Sequence, residues 1–153
     1  MSYSERSSLE FRIKLLREHA KGIKDDRIAG EIAKYLCILA SGYLEVRIKE
    51  IVAHYVESRA SSEIQRYVEK KLSYFQNPRP DRILELCGDF SPQMRDELKT
   101  QLSADLADAI LSIVSHRNNL AHGADSSISL GRFEDYFSRT QKGVMKIEQV
   151  FGG

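Results

Sequence analysis

The stretch that decides the fold is residues 28–52, IAGEIAKYLCILASGYLEVRIKEIV. Its apolar residues recur at steps of three and four, which is the period of an α-helix. They fall into two stripes on different sides of one long helix, and such a helix is expected to lie between neighbours, inside a bundle or at a subunit interface. The first stripe contains Ile28, Ile32, Tyr35, Leu39, Tyr43 and Val46, and the second contains Cys37, Ala40, Leu44, Ile48, Ile51 and Val52.

Turn and capping signals divide the middle of the chain into shorter helices. Ser62 and Gln65 have the spacing of a capping box, which predicts a helix that begins at Ser62. Residues 77–81, NPRPD, are typical of a turn followed by a brief helix, and Gly88 is expected to stop that helix. Ser91 before a proline predicts the next helix start.

Helical patterns also begin and end the chain. Apolar residues at helical spacing predict an early helix that ends near Gly22, a helix whose apolar stripe runs to Val114, and a final helix over residues 133–150. No alternating strand pattern of useful length appears. The prediction is an all-α fold, a helical bundle of four or more helices. It forms a single domain over residues 1–153, with the core in about 28–150 and an N-terminal helix in 1–27.

Composition excludes several classes of protein. The 153 residues include 23 Lys and Arg against 22 Asp and Glu, a net charge of +1, which argues against a polybasic protein that binds nucleic acid along its whole surface. The N-terminus is polar, and no apolar run is long enough to span a bilayer, so a cytoplasmic location is expected. Cys37 and Cys87 lie far apart and are expected to be buried free thiols.

The histidines show no metal-binding pattern. No two of them have the one-turn spacing of a helical metal site, and the chain lacks the common phosphate-binding and hydrolase motifs. We therefore expect no metal and no cofactor. The four are His19, His54, His116 and His122.

One polar segment, residues 115–123 (SHRNNLAHG), closes an apolar helix and contains Arg117 and His122 with no acid between them. On a straight helix a five-residue separation places two side chains about 140° apart. The two side chains can converge only if the helix ends or bends near residues 118–120, which the asparagines and Gly123 permit.

An arginine beside a histidine suits the cleavage of RNA without a metal. A neutral imidazole can take the proton of the ribose 2′-hydroxyl, and a guanidinium can stabilise the charge on the phosphate as the hydroxyl attacks it. The products are a 2′,3′-cyclic phosphate and a 5′-hydroxyl. The alternative is structural, because an arginine near a helix C-terminus interacts favourably with the helix dipole and a histidine there can cap carbonyls.

The segment resembles a known family. Residues 117–123, RNNLAHG, are similar to the R-N-x-x-x-H motif of the HEPN superfamily, the helical ribonuclease domain of many prokaryotic toxins and defence systems. Residues 37–45 (CILASGYLE), 74–78 (YFQNP) and 83–86 (ILEL) resemble the RiboL-PSP-HEPN branch of that superfamily. The resemblance extends from about residue 28 to residue 150.

This resemblance implies a helical bundle that forms a symmetric homodimer, with the motifs of two subunits facing each other across a cleft. Arg117, Asn118 and His122 are then the catalytic residues. The two copies of His122 divide the roles of base and acid, and the two copies of Arg117 make the cleft positive. Asn118 orients the histidine or contacts phosphate.

Further residues are weaker candidates. Glu45 and Tyr43, on the long helix, and Asn119 are candidates for orienting the catalytic side chains, against the alternative of a solvated Glu and a half-buried Tyr. His116 adjoins Arg117 but is expected to point to another side of the helix. Residues 59–82 contain six basic residues against three acidic ones and are either an RNA contact or a solvated surface.

The sequence thus predicts a metal-independent endoribonuclease in toxin–antitoxin or phage-defence biology. Its partners are an RNA substrate, a second copy of the chain, and an antitoxin or other regulatory protein, with no membrane. One alternative is a non-catalytic HEPN homologue that binds RNA or proteins through the same cleft. Another is a plain helical interaction module, in which the motif is a coincidence.

Overall fold

The computed structural model describes residues 3–152, with side chains from residue 5 onward. This part of the chain contains seven α-helices and no strand, which confirms the predicted all-α bundle. No helix in it is both long and apolar enough to cross a membrane. The helices are α1 (Tyr3–Ala20), α2 (Asp26–Glu57), α3 (Ser62–Leu72), α4 (Pro80–Phe90), α5 (Pro92–Gln101), α6 (Ala104–Ala121) and α7 (Leu130–Val150).

Helix α2 is the centre of the bundle. Asp25 caps its N-terminus by accepting hydrogen bonds from two backbone amides of the first turn. The second apolar stripe of the sequence is buried along its whole length, against α6 and α7. The first stripe is only partly covered: Ile28 and Tyr35 are exposed, as is neighbouring Ile38. The expectation of neighbours on two sides is therefore met fully on one side of α2 and partly on the other.

Helix α1 packs against α2 in the antiparallel direction. Near the start of α1, Arg6 donates to Glu50 in the second half of α2 at 3.1 Å. Farther along α1, Arg12 contacts Tyr35 in the first half of α2. Arg17 joins the end of α1 to α7 through an ion pair with Glu134.

Helices α6 and α7 form the closest contact in the bundle. A Cβ atom added to Gly143 of α7 would lie 2.9 Å from the terminal methyl group of Ile110 on α6. Ile110 is completely buried, so only a glycine permits this approach. The close pairing holds α6, and with it the polar segment at its end, against the core.

Helix α3 begins at Ser62 as predicted, but its predicted cap is wrong by one residue, and the predicted end of α4 is wrong by two. Helix α3 is capped by Ser61, whose hydroxyl accepts a hydrogen bond from the amide of Ile64. The side chain of Gln65 does not close a capping box; its Nε2 donates to the carbonyls of Glu57 and Ala60. Helix α4 continues through Gly88 to Phe90. Gly88 has a helical backbone, and it packs beside the side chain of Arg95 on α5. The predicted cap at Ser91 is confirmed.

Candidate active site

The polar segment lies at the C-terminal end of α6. The helix ends where Gly123 adopts a left-handed backbone, with φ of 74°. The amide of Gly123 donates to Leu120 O at 3.1 Å, and the amide of Ala124 donates to Asn119 O at 2.8 Å. These two bonds form a Schellman motif, which favours glycine at this position. His122 is therefore the last residue before the turn, and its side chain is exposed.

The helix does not bend or end at residues 118–120, as convergence of the motif would require. The amide of His122 still donates to Asn118 O at 3.1 Å, so the helical hydrogen bonds continue to the cap. Arg117 and His122 consequently stay about 140° apart around the axis. Within the described residues, no hydrogen bond joins their side chains. A single chain therefore presents the two groups on different sides of one helix end.

Asn118 is held from two sides. Its amide nitrogen Nδ2 donates to Oδ1 of Asn77 at 2.7 Å, and its Oδ1 accepts from Nη1 of Arg117 at 3.2 Å. Because a guanidinium can only donate, the bond to Arg117 fixes Oδ1 as the acceptor end of the Asn118 amide, and Nδ2 is left to donate to Asn77. Asn118 is half-buried, whereas Arg117 is exposed. The guanidinium of Arg117 is thus positioned by a short relay that begins outside the motif.

Asn77 is the residue of this relay that sequence reasoning did not select. It lies in the loop between α3 and α4 and has a φ of 56°, a left-handed conformation that asparagine tolerates better than most side chains. The next residue, Pro78, is buried and anchors the loop. An asparagine directly before a proline in a turn is the one signal that marks this position.

His116 lies beside the motif but faces elsewhere, as the sequence predicted. Its Nδ1 is hydrogen-bonded to the hydroxyl of buried Ser126, and its ring is 6.5 Å from that of Tyr136. It lines a cleft of about 900 Å³ between the start of α2 and the loop that joins α6 to α7. Partial burial lowers the pKa of His116.

The other candidates are not brought to the motif. Oε1 of Glu45 accepts from Nζ of Lys49 at 3.1 Å. Tyr43 is buried, edge-on to Phe137 at 6.1 Å between ring centroids, and its burial raises its pKa. Asn119 is exposed, and its backbone carbonyl accepts from the amide of Ala124 at the end of the helix. These contacts are those of residues that support the bundle.

The cysteines and acids offer no further chemistry at this end of the molecule. Cys37 and Cys87 are free and buried, as predicted, and burial raises the pKa of each thiol to about 12. Such thiols are protonated near neutral pH and are poor nucleophiles. Across the described residues, no group of three or more His, Cys, Asp or Glu side chains is arranged to hold a metal ion.

Comparison with known proteins gives one match. No curated protein and no solved structure is significantly similar to the chain. The model of the RiboL-PSP-HEPN family matches residues 7–151, which is nearly the whole sequence and includes all seven helices in part or in full. The all-helical fold and the Arg-Asn-x-x-x-His segment agree with this match. The chain belongs to the RiboL-PSP-HEPN family.

Proposed function

We propose that the chain is a metal-independent endoribonuclease that acts as a homodimer in the cytoplasm. Membership of the HEPN family supports a module related to RNA. The observation on which the proposal depends is the exposed end of α6, where Arg117 and His122 flank Asn118. The reaction needs a proton acceptor and a charge that stabilises phosphate, and these side chains are of those two kinds.

In the proposed reaction, a neutral imidazole of His122 takes the proton from the ribose 2′-hydroxyl. The O2′–P bond forms as the P–O5′ bond breaks, and a second imidazole, in its protonated form, gives its proton to the departing 5′ oxygen. Arg117 stabilises the phosphate oxygens while negative charge develops on them. The products are a 2′,3′-cyclic phosphate and a 5′-hydroxyl.

A symmetric dimer explains why the motif diverges in one chain. Arg117 and His122 lie on different sides of α6, so neither chain alone surrounds a phosphate. A two-fold axis beside the helix end would place Arg117 of one chain opposite His122 of the other. It would also supply the second histidine that the reaction needs. Asn118 holds Arg117 in position through its Oδ1.

The test is cleavage of single-stranded RNA by the wild-type protein and by two variants, Arg117→Ala and His122→Ala. Both are expected to lose at least about 100-fold in rate, which is the usual contribution of a positioned acid or base. His54→Ala is the matched control, because His54 is 87% exposed and distant in sequence. A substrate with a 2′-deoxyribose at the cut site should resist cleavage. Full activity in either motif variant would contradict the proposal.

A second candidate function is that of a non-catalytic relative that binds RNA or a protein through the same surface. The separation of Arg117 and His122 in one chain favours it, since a pure binding surface needs no convergence. It predicts RNA binding without cleavage by the wild-type protein.

We place the ribonuclease among toxins or defence enzymes, with an antitoxin or regulatory protein as a further partner. Expression in bacteria then slows growth, and His122→Ala relieves the effect.

A further inference from the structure

A groove runs between α3 and α4, next to the candidate site. It has a volume of about 610 Å³, and its floor is made by buried apolar side chains, among them Leu72 and Phe75. Two tyrosines on its walls are unusually exposed: Tyr67 by 59% and Tyr74 by 71%. Because they line the same groove, the two rings offer an aromatic surface to a ligand.

Cations accompany these rings. Nζ of Lys71 lies 5.5 Å from the centroid of Tyr67, and Arg82 lines the opposite wall. Residues 59–82 have six basic and three acidic side chains, so the remainder of the chain, with 17 basic and 19 acidic, is net negative. Residues 59–82, which supply the α3 wall of the groove, are therefore net positive, whereas the groove's own lining has two basic and two acidic side chains.

The acidic residues of the groove lie on one side of it. Glu85 and Asp89 are both on α4, whereas Lys71 is on α3. A phosphate backbone is repelled by carboxylates and attracted by lysine. A nucleic acid in this groove would therefore run its phosphates along the α3 wall.

The groove lies a short distance along the chain from the candidate site. Tyr74 precedes Asn77 by three residues, which span at most about 11 Å. Asn77 in turn accepts the hydrogen bond from Asn118 of the motif at 2.7 Å. A strand that occupies the groove would thus reach the end of α6.

We propose that the α3–α4 groove binds the single-stranded RNA that flanks the cut phosphate, with bases stacked on Tyr67 and Tyr74 and phosphates along the α3 wall beside Lys71. This inference rests on the proposed function, because the RNA is its substrate. Single strands are favoured over duplexes, since their bases are free to stack on protein rings. Stacking of this kind has little preference for sequence.

The test is the affinity for a fluorescent single-stranded RNA of about 12 nucleotides, a length within the range of known single-strand sites. The protein carries His122→Ala throughout, so that the RNA stays intact, and fluorescence anisotropy gives Kd. Tyr67→Leu and Tyr74→Leu are each expected to raise Kd at least about fivefold, because leucine is apolar but cannot stack as an aromatic ring. Tyr67→Phe and Tyr74→Phe keep the ring and should bind within about twofold of the parent.

The lysine is tested by salt dependence. Lys71→Ala should reduce the slope of log Kd against log salt by about 0.7, the value for one phosphate contact on a single strand. Two exposed residues outside the groove are matched controls, Phe11→Leu on α1 and Lys142→Ala on α7. Both should leave Kd and the slope unchanged.

The outcomes separate this inference from the proposed function. Leucine variants that bind RNA as tightly as the parent would overturn the proposal that the groove binds RNA, even if the wild-type protein cleaves RNA. They would point to a protein partner for the groove instead. Duplex RNA that competes as well as the single strand would also overturn it. If the leucine variants lose binding but the wild-type protein cuts no RNA, the groove is supported and the catalytic proposal fails.

Discussion

At the scale of single residues, the bond between Asn118 and Asn77 joins the motif to a loop 41 residues away. The loop holds Asn77 in a left-handed conformation, which costs of order 1 kcal/mol or more for a residue with a Cβ. Position 77 has two requirements, a left-handed backbone and a hydrogen-bond acceptor for Asn118. Asparagine meets both demands, because it tolerates this conformation and its Oδ1 accepts the bond. The motif therefore depends on a residue whose own environment is set by a different part of the chain.

Replacement of Asn77 by glycine separates these two demands. Asn77→Gly keeps the left-handed backbone at lower cost but removes the acceptor for Asn118. We expect the protein to stay folded and RNA cleavage to fall about tenfold, the equivalent of one hydrogen bond of about 1.4 kcal/mol. Cleavage rate and thermal midpoint are measured together. Gln76→Ala, at the exposed neighbouring position, is the control and should leave both unchanged.

His116 makes the stability of the protein sensitive to acid. Burial lowers its pKa in the folded protein, whereas the unfolded chain takes up a proton near pH 6.5. Below that pH the unfolded state binds more protons, so the free energy of unfolding should fall as the pH drops through this window. Urea unfolding at pH 7.5 and pH 5.5 measures the fall, and His116→Gln should make it smaller.

The same substitution at His54 provides the comparison, because His54 is 87% exposed. His54→Gln should leave the difference between the two pH values as it is in the wild-type protein. An equally large fall in the His116→Gln protein would show that other groups account for the sensitivity to acid.

At the scale of helices, the contact between α6 and α7 depends on Gly143. Gly143→Ala places a methyl group 2.9 Å from the terminal methyl group of Ile110, which is fully buried and has to shift. Overpacking lowers the free energy of unfolding by about 1–3 kcal/mol, and the higher helix propensity of alanine offsets up to about 1 kcal/mol of this loss. A net loss of up to about 2 kcal/mol in the free energy of unfolding is expected, measured by urea at a fixed protein concentration.

Gly42 offers the matched change. It also lies inside a helix, but nothing lies within 4 Å of an added Cβ. Gly42→Ala should stabilise the protein by about 0.5–1 kcal/mol, because only the propensity term applies. If the two alanine variants were equally stable, close packing would not be the reason for the glycine in α7.

The helices could be predicted from the sequence because their signals are local. Apolar spacing and caps such as Ser91 are contained within a few residues, and the family-like stretches extend over most of the chain. Errors arose where two signals compete within one turn. Ser61 and Ser62 are equally good caps by type, and only packing selects Ser61. Gly88 would end an isolated helix, but contact with α5 keeps it helical.

The site was predictable only in part, for the same reason. Arg117, Asn118 and His122 stand together in the sequence and form one motif. Their support by Asn77 depends on the distance between a loop and a helix end, which local spacing does not encode. The angle between Arg117 and His122 also depends on where α6 ends, and Gly123 places that end after the motif instead of within it.

At the scale of the whole molecule, the net charge of +1 conceals an uneven distribution. Residues 59–82 are net positive and the rest of the chain is net negative. Electrostatic attraction to RNA is therefore expected near the candidate site rather than over the whole surface. In the proposed reaction, such an arrangement would favour release of the cut strands, because few phosphates are bound at once. The exposed apolar side of α2 adds a surface that a second chain can cover.

The proposed dimer makes one strong prediction about subunits of mixed type. If one reaction uses His122 from both chains, a dimer with one wild-type and one His122→Ala chain has a base without an acid. Different affinity tags on the two chains allow this mixed dimer to be purified after co-expression. Its RNA cleavage is expected to be at least about 100-fold slower than that of the wild-type dimer. Independent sites in each chain would leave about half of the activity.

The matched control is a mixed dimer with one wild-type and one His54→Ala chain, which should have full activity. This comparison tests the geometry as well as the chemistry, because the divergence of Arg117 and His122 in one chain is what requires the second chain. Half activity in the His122→Ala mixed dimer would contradict the shared site. So would a failure of the two tagged chains to purify together because the protein is a monomer. Each chain would then have to bring its own Arg117 and His122 together, which the continuous helix to Ala121 opposes.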